Sequence, residues 1–270
     1  MHKLASKVIL ITGATGNIAQ AFAELALGEN PEAVVLSGID DERGAALAKT
    51  LGEKCHYRHL DVTRQSDWQE TMTFIGEKFG RLDVLVNNAG ITGTRLQPPM
   101  LGLEDSALSS WQAVIQNDLD SIFLGCREAM ALMARSAGAS IVNIGSRSSL
   151  VARPDRMAYA AAKAAAVSLT KSVAIYCAER GYNIRCNIVL PSTILTEMWD
   201  PVLLEQGQFN EKRYREMADR IPLKRFGRAE EVAKAILFLA SDDASYITGT
   251  EIIIDGGAQA LDVLRRQTEG

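Results

Sequence analysis

The sequence is poor in the residues that build metal centres and disulfide frameworks. Its four cysteines (Cys55, Cys126, Cys177 and Cys186) are scattered, with no CxxC pair and no metal-ligand spacing. Its three histidines, His2, His56 and His59, complete no ligand set, so no metal is expected. Unpaired thiols suit buried positions in a reducing compartment, and a cytoplasmic location follows as an expectation. Charge of one sign is lacking too. The net charge is −4, with no basic block, which argues against a nucleic-acid or membrane-surface partner. No apolar run approaches the length of a membrane span. The first one, Val8 to Ile11, starts too early and is too short for a signal-peptide core. Repeats, low-complexity linkers and breaks in composition are missing as well. The 270 residues therefore read as one domain, 1–270.

What the chain does have is alternation. Short apolar runs at 7–12, 33–37, 54–59, 83–86, 140–145, 183–189 and 250–254 read as strands. Amphipathic or Ala-rich stretches at 17–27, 41–51, 65–79, 105–137, 156–180 and 229–240 read as helices. The strands are near-continuous apolar runs, which suits a parallel sheet covered on both faces. The expected fold is α/β: a single doubly wound domain with a seven-stranded parallel sheet. Two segments break the rhythm, 92–104 and 192–222. Both leave the C-terminal ends of strands, where open α/β sheets bind ligands, and both hold apolar residues such as Leu96, Met198 and Trp199. They read as substrate-lining loops, with a packed surface excursion or subunit contact as the alternative.

Three stretches carry chemistry. Val8-Ile-Leu-Ile-Thr-Gly13-Ala-Thr-Gly16-Asn-Ile-Ala19 is a strand, a glycine turn and a helix start, the arrangement that seats a pyrophosphate at a helix N-terminus. Asp40 and Asp41 follow the second strand, where an acid can bind an adenosine ribose; both could equally be helix-start residues favoured by the dipole. Tyr159 and Lys163 are four apart and share one helix face. Ser146 precedes Tyr159 by thirteen residues, at the end of the run Ser140-Ile-Val-Asn-Ile. A hydroxyl and a phenol steadied by a cation suit proton transfer at a carbonyl oxygen. Alone, Tyr159-xxx-Lys163 reads better as an ordinary Ala-rich helix with a surface Tyr and Lys.

In order along the chain stand Thr12-Gly13 with Gly16, Asp61-Val62, Asn87-Asn88-Ala89-Gly90, Ser146, Tyr159-xxx-Lys163, Asn187-xxx-Pro191 and Thr248-Gly-Thr-Glu-Ile-Ile-Ile-Asp-Gly-Gly257. The set resembles the short-chain dehydrogenase/reductase family over residues 7–257. Locally it is similar to bacterial hydroxysteroid and alicyclic-alcohol dehydrogenases. The resemblance implies that Tyr159 is the general acid/base, that Lys163 holds the nicotinamide ribose and that Ser146 binds the substrate oxygen. It implies that Gly13, Asn17, Ile18, Asp61, Val62, Asn88, Ala89 and Gly90 contact the cofactor, with Pro191, Ile194 and Thr196 bordering the nicotinamide. It also implies a homotetramer acting on a small-molecule alcohol or ketone.

The sequence departs from the family pattern in three places. Asn17 stands where the middle glycine is usual, and Asn tolerates left-handed backbone. The position of the NAD-selecting acid falls on Gly38, with Ile39 next. Asp40 is left to serve the ribose, and no basic residue at Ile39 or in the turn offers itself to a 2′-phosphate. NAD is therefore expected over NADP, with Arg43 the residue that could reverse this. The helix Asn that often completes the active site falls on Asp118, with Asn117 one step early; a carboxylate there could pair with Lys163. Arg147, Arg153 and Arg156 cluster between Ser146 and Tyr159. They suit either an anionic substrate group or salt bridges, whereas the apolar loops suit a hydrophobic alcohol. The leading expectation is an NAD(P)-dependent oxidoreductase interconverting a secondary alcohol and a ketone. A 3-oxoacyl-thioester reductase using NADPH and a non-catalytic cofactor sensor are the alternatives.

Overall fold

The computed structural model describes residues 2–99, 102–205 and 207–260. Seven parallel strands form one sheet: β1 Val8–Thr12, β2 Ala33–Gly38, β3 Cys55–His59, β4 Val84–Asn87, β5 Ala139–Ile144, β6 Ile184–Pro191 and, after a two-residue hairpin pair (β7 Leu204–Glu205, β8 Gln208–Phe209), β9 Glu251–Ile254. Their order is β3-β2-β1-β4-β5-β6-β9. The chain reverses direction of travel between β1 and β4, the switch point at which such sheets bind ligands.

The apolar runs are continuous because successive residues feed opposite faces. Ile9 and Ile11 of β1 join one core with Val34, Leu36, Val84, Val86, Val142 and Ile144. Val8 and Leu10 join the other with Val35, Leu85 and Ile141. Helices α1 (Asn17–Gly28) and α9 (Ala229–Ala240) cover the first face, with Phe22 and Ile236 fully buried. Helices α3 (Gln65–Phe79), α5 (Ser121–Met133) and α6 (Met157–Glu179) cover the second, where Trp68 is fully buried. At roughly 1.5–3 kcal/mol per large apolar side chain, these two layers supply most of the folding drive. Helix α2 is Asp41–Leu51.

The helix expected over 105–137 is three pieces. α4 spans Leu108–Ile115, a π-helical turn spans Gln116–Asp120, and α5 follows. Within the widened turn, the Ser121 hydroxyl donates to the Asn117 carbonyl at 2.5 Å, and Asp118 turns inward to full burial. π turns of this kind concentrate at functional sites.

Segment 192–222 is structured rather than irregular. It holds a 3₁₀ turn at Glu197–Trp199, α7 Asp200–Leu203, the β7–β8 hairpin and α8 Glu211–Ala218. Leu203, Ala218, Ile221 and Phe226 form a small core of their own against Trp199, Tyr214 and Met217. No described helix is long and apolar enough to cross a membrane. The four cysteines are buried free thiols. Among the described residues no group of His, Cys, Asp and Glu is placed to hold a metal.

Candidate active site

A cleft of about 550 Å³ opens beyond the carboxyl ends of the strands. One end is the glycine turn. Gly13 takes φ +69°, and a Cβ there would stand 2.9 Å from the Ala89 Cα. Only glycine gives both the left-handed backbone and the close approach. The turn is tied to the end of β4. The Thr12 hydroxyl accepts from the backbone N–H of Asn88 (3.0 Å) and Ala89 (3.1 Å), and the Asn88 amide donates back to the Thr12 carbonyl (3.0 Å). Asn17 needs no left-handed backbone: it is the first residue of α1, and its side chain accepts from the Glu197 N–H at 3.2 Å. Tolerance of a positive φ, the reason given for expecting the turn to hold, therefore plays no part.

Gly13, Asn17, Ile18, Ile39, Asp61, Val62, Asn88, Ala89 and Gly90 all line the cleft. Asp40 does not. Its carboxylate caps α2, accepting from the Arg43 N–H at 3.0 Å, and its side chain is 42% exposed. A free N–H at a helix start is a nearer partner than the cleft. Asp41 opens α2, where its carboxylate accepts from the Tyr57 hydroxyl (3.0 Å) and meets the His59 ring (2.8 Å). Both contacts hold its carboxyl below the usual range, His59 first. The Arg43 guanidinium lies between Asp40 (4.0 Å) and Glu197 (3.7 Å).

The middle of the cleft holds Ser146, Tyr159 and Lys163, with Pro191, Ile194 and Thr196 alongside. Ser146 follows β5 on extended backbone and caps a 3₁₀ turn, its hydroxyl accepting from the Ser148 N–H at 3.1 Å. Tyr159 and Lys163 share a face of α6, with the ammonium 5.5 Å from the centre of the phenol ring. Lys163 is almost fully buried. Its ammonium donates to the Ile144 carbonyl (3.1 Å) and pairs with Asp118 (3.1 Å), whose other oxygen accepts from the Ile91 N–H (2.7 Å). Burial opposes the ammonium, but the charge of Asp118 and the neighbouring Tyr159 outweigh it, so the Lys163 pKa is raised. Burial dominates at Asp118, whose carboxyl is pushed above the usual range despite Lys163. Asp118 does not line the cleft. It reaches the site through Lys163 and the Ile91 N–H, making it a positioning residue and not a group that touches substrate.

The far end is basic. Arg147, Arg153 and Arg156 line it, with Leu96 from segment 92–104 and Met198 and Trp199 from 192–222. The two segments meet where the Arg95 guanidinium donates to the Glu197 carbonyl at 2.8 Å. Other apolar residues of these segments face elsewhere. Leu103 is 80% exposed, Leu204 and Phe209 sit exposed on the hairpin, and Met100 and Leu101 lie outside the described residues.

Sequence reasoning missed three contributors. The Ile144 carbonyl and the Ile91 N–H anchor the Lys163–Asp118 pair through backbone groups, which leave no side-chain signal. Asn117 lines the cleft, with its side-chain oxygen buried and without a hydrogen-bond partner among the described residues; its position one step before Asp118 was the available hint.

The order of these parts on a seven-stranded parallel sheet is matched by known proteins. Residues 13–259 match the family model described as Enoyl-(Acyl carrier protein) reductase. The chain is 37% identical over 273 residues to the trans-4-hydroxycyclohexanecarboxylate dehydrogenase of Sinomonas cyclohexanicum, covering 98% of this chain and 97% of that one. It is 39% identical over 258 residues to the 3-oxoacyl-[acyl-carrier-protein] reductase of Thermotoga maritima, covering 94% and 98%. The ligand-free aldohexose dehydrogenase of Thermoplasma acidophilum superposes with a TM-score of 0.85 at 32% identity, covering 97% of both chains. The chain belongs to the short-chain dehydrogenase/reductase family. It is an oxidoreductase of that family by descent and by fold, and the family uses NAD(P) cofactors. The cradle fits such a cofactor: Gly13, Gly16 and the first residues of α1, Asn17 and Ile18, line the cleft where a helix start favours a pyrophosphate.

Proposed function

We propose that this protein is an NAD-dependent oxidoreductase that interconverts a secondary alcohol and a ketone. The observation that carries the reading is the convergence of Ser146, Tyr159 and Lys163 with the glycine turn in one cleft. When bound, a nicotinamide cofactor supplies or takes up the hydride. In the reductive direction the Ser146 hydroxyl donates a hydrogen bond to the carbonyl oxygen, and Tyr159 delivers the proton to that oxygen. In oxidation Tyr159 receives it. Lys163 has three N–H donors, of which one goes to the Ile144 carbonyl, while Asp118 pairs with the ammonium by charge. A remaining donor serves the cofactor ribose, and the ammonium stabilises negative charge developing on the Tyr159 oxygen. Gly13, Asn17, Ile18, Asp61, Val62, Asn88, Ala89 and Gly90 hold the nucleotide, and Pro191, Ile194 and Thr196 hold the nicotinamide.

NAD is preferred because the adenosine end of the cleft carries Ile39 and Asp61 and no basic side chain. With Asp40 capping α2, the preference rests on that missing cation and on Arg43 being held by Asp40 and Glu197. Exposed apolar residues on paired helices, Leu108 and Phe123 on α4–α5 and Ile175 and Tyr176 on α6, favour a homotetramer. The four free thiols favour a cytoplasmic location. A second reading, a 3-oxoacyl-thioester reductase, is favoured by the Thermotoga maritima relative.

The test is a panel of secondary alcohols, ketones and an acetoacetyl thioester, run with NAD(H) and NADP(H) separately. Turnover of an alcohol or ketone with NAD(H) is expected. A clear NADP(H) preference overturns the cofactor assignment, and thioester reduction alone favours the second reading.

A further inference from the structure

The chain carries a net charge of −4, yet the substrate end of the cleft is lined by Arg147, Arg153 and Arg156. Arg153 and Arg156 share one carboxylate, Asp155. Arg153 grips it with two parallel bonds, Nε at 3.0 Å and Nη2 at 2.8 Å. Arg156 reaches the same carboxylate only through Nε, at 3.3 Å. Arg147 donates from its Nε to the Ser192 hydroxyl at 2.9 Å, a neutral partner. Of the other cations lining the cleft, Lys163 is balanced by Asp118, and Arg95 donates to the Glu197 carbonyl.

Arg156 stands out among these. Its side chain is only 18% exposed. It lies over the Trp199 ring, 5.8 Å from guanidinium carbon to ring centre. Its two terminal amino groups make no hydrogen bond to any described residue. It caps the start of α6, three residues before Tyr159, and both line the cleft. A mostly buried guanidinium with two unused amino groups matches a planar oxyanion by geometry as well as charge.

Resting on the oxidoreductase reading above, we propose that the substrate bears a carboxylate, bound by Arg156 with Arg153 beside it while its carbonyl or carbinol carbon faces Tyr159. Asp155 orients the two guanidinia and shares them with the substrate.

The test uses the full chain with NADH and two matched series: 2-pentanone and 2-hexanone against 4-oxopentanoate and 5-oxohexanoate. A keto acid should exceed its neutral counterpart in kcat/KM by about 10- to 100-fold, mostly through KM. Arg156→Met should collapse that ratio towards one, and Arg156→Lys should restore part of it. Asp155→Asn removes the competing carboxylate and should lower the KM for the keto acid. Equal use of ketones and keto acids by the wild type, or a ratio unchanged in Arg156→Met, overturns the proposal while leaving the oxidoreductase reading intact. If nothing is reduced, that reading fails on its own. Calorimetric titration of the NAD-loaded protein with hexanoate then decides the carboxylate site: saturable binding lost in Arg156→Met supports it, and no binding overturns it.

Discussion

The two ends of the cleft are built from different materials. The nucleotide end is almost all backbone: a glycine turn, the exposed N–H groups of α1, and a Thr12–Asn88 clasp joining β1 to β4. The substrate end is side chains: arginines from the stretch between β5 and α6, and Trp199 from a segment with a small core of its own. Backbone cradles fit a ligand whose shape does not vary. Side chains on separate segments can be exchanged without disturbing the sheet. Between the two lies the buried Lys163–Asp118 pair, which belongs to neither end and fixes the one cation that serves both.

Breaking that junction should have the largest effect. Asp118→Ala leaves a buried ammonium without its counter-ion and should cost about 3–5 kcal/mol of stability, read as a fall in denaturant midpoint at constant m. Asp118→Asn keeps an acceptor for the Ile91 N–H. It should retain activity with only a modest change in rate, and loss of turnover in that variant would show that the carboxylate itself is required. The nucleotide end should respond next. Gly13→Ala forces a Cβ to 2.9 Å from the Ala89 Cα at a positive φ. It should cost about 1–3 kcal/mol and weaken NAD binding measured by fluorescence titration, while a substrate-end change such as Arg156→Met leaves that affinity near wild type.

The smallest effect concerns the anchor of the substrate-end cap. Glu231 on α9 accepts from Arg225 (2.6 and 2.8 Å) and from the Arg228 N–H (2.8 Å), just after Phe226 of the cap core. Arg225 first, then that N–H, pulls its carboxyl from 4.5 down to about 2. A depressed folded-state pKa contributes stability that is complete above 4.5 and lost as pH falls towards 2. The pair is partly exposed and screened, so Glu231→Gln should cost only about 1 kcal/mol at neutral pH. Its stability should converge with wild type in acid; a constant gap across that range would contradict the assignment.

The contrast also governs what was legible beforehand. The sheet could be read because its strands bury both faces, and alternate residues of β1 feed opposite cores. Ser146, Tyr159 and Lys163 could be read from the joint order of motifs along the chain and not from their local spacing alone, and the fold brings them into one cleft. The π turn could not, since it depends on Asp118 meeting Lys163, far along the chain. Asp40 was ambiguous for a local reason: the same carboxylate can serve a ribose or a helix start, and the nearby Arg43 N–H takes it. The cap core was hidden because Leu203 and Phe226 meet only after the chain returns from α8.

The most direct test of the whole account compares wild type with Tyr159→Phe, following nicotinamide reduction by NAD across secondary alcohols. Removing one hydroxyl from a ring that is 9% exposed leaves the cleft's shape unchanged. Wild type should oxidise at least one alcohol, with the variant slower by on the order of 10²–10⁴-fold while still binding NAD. Equal activity of the two proteins would contradict the assignment of Tyr159 as the group that moves the proton.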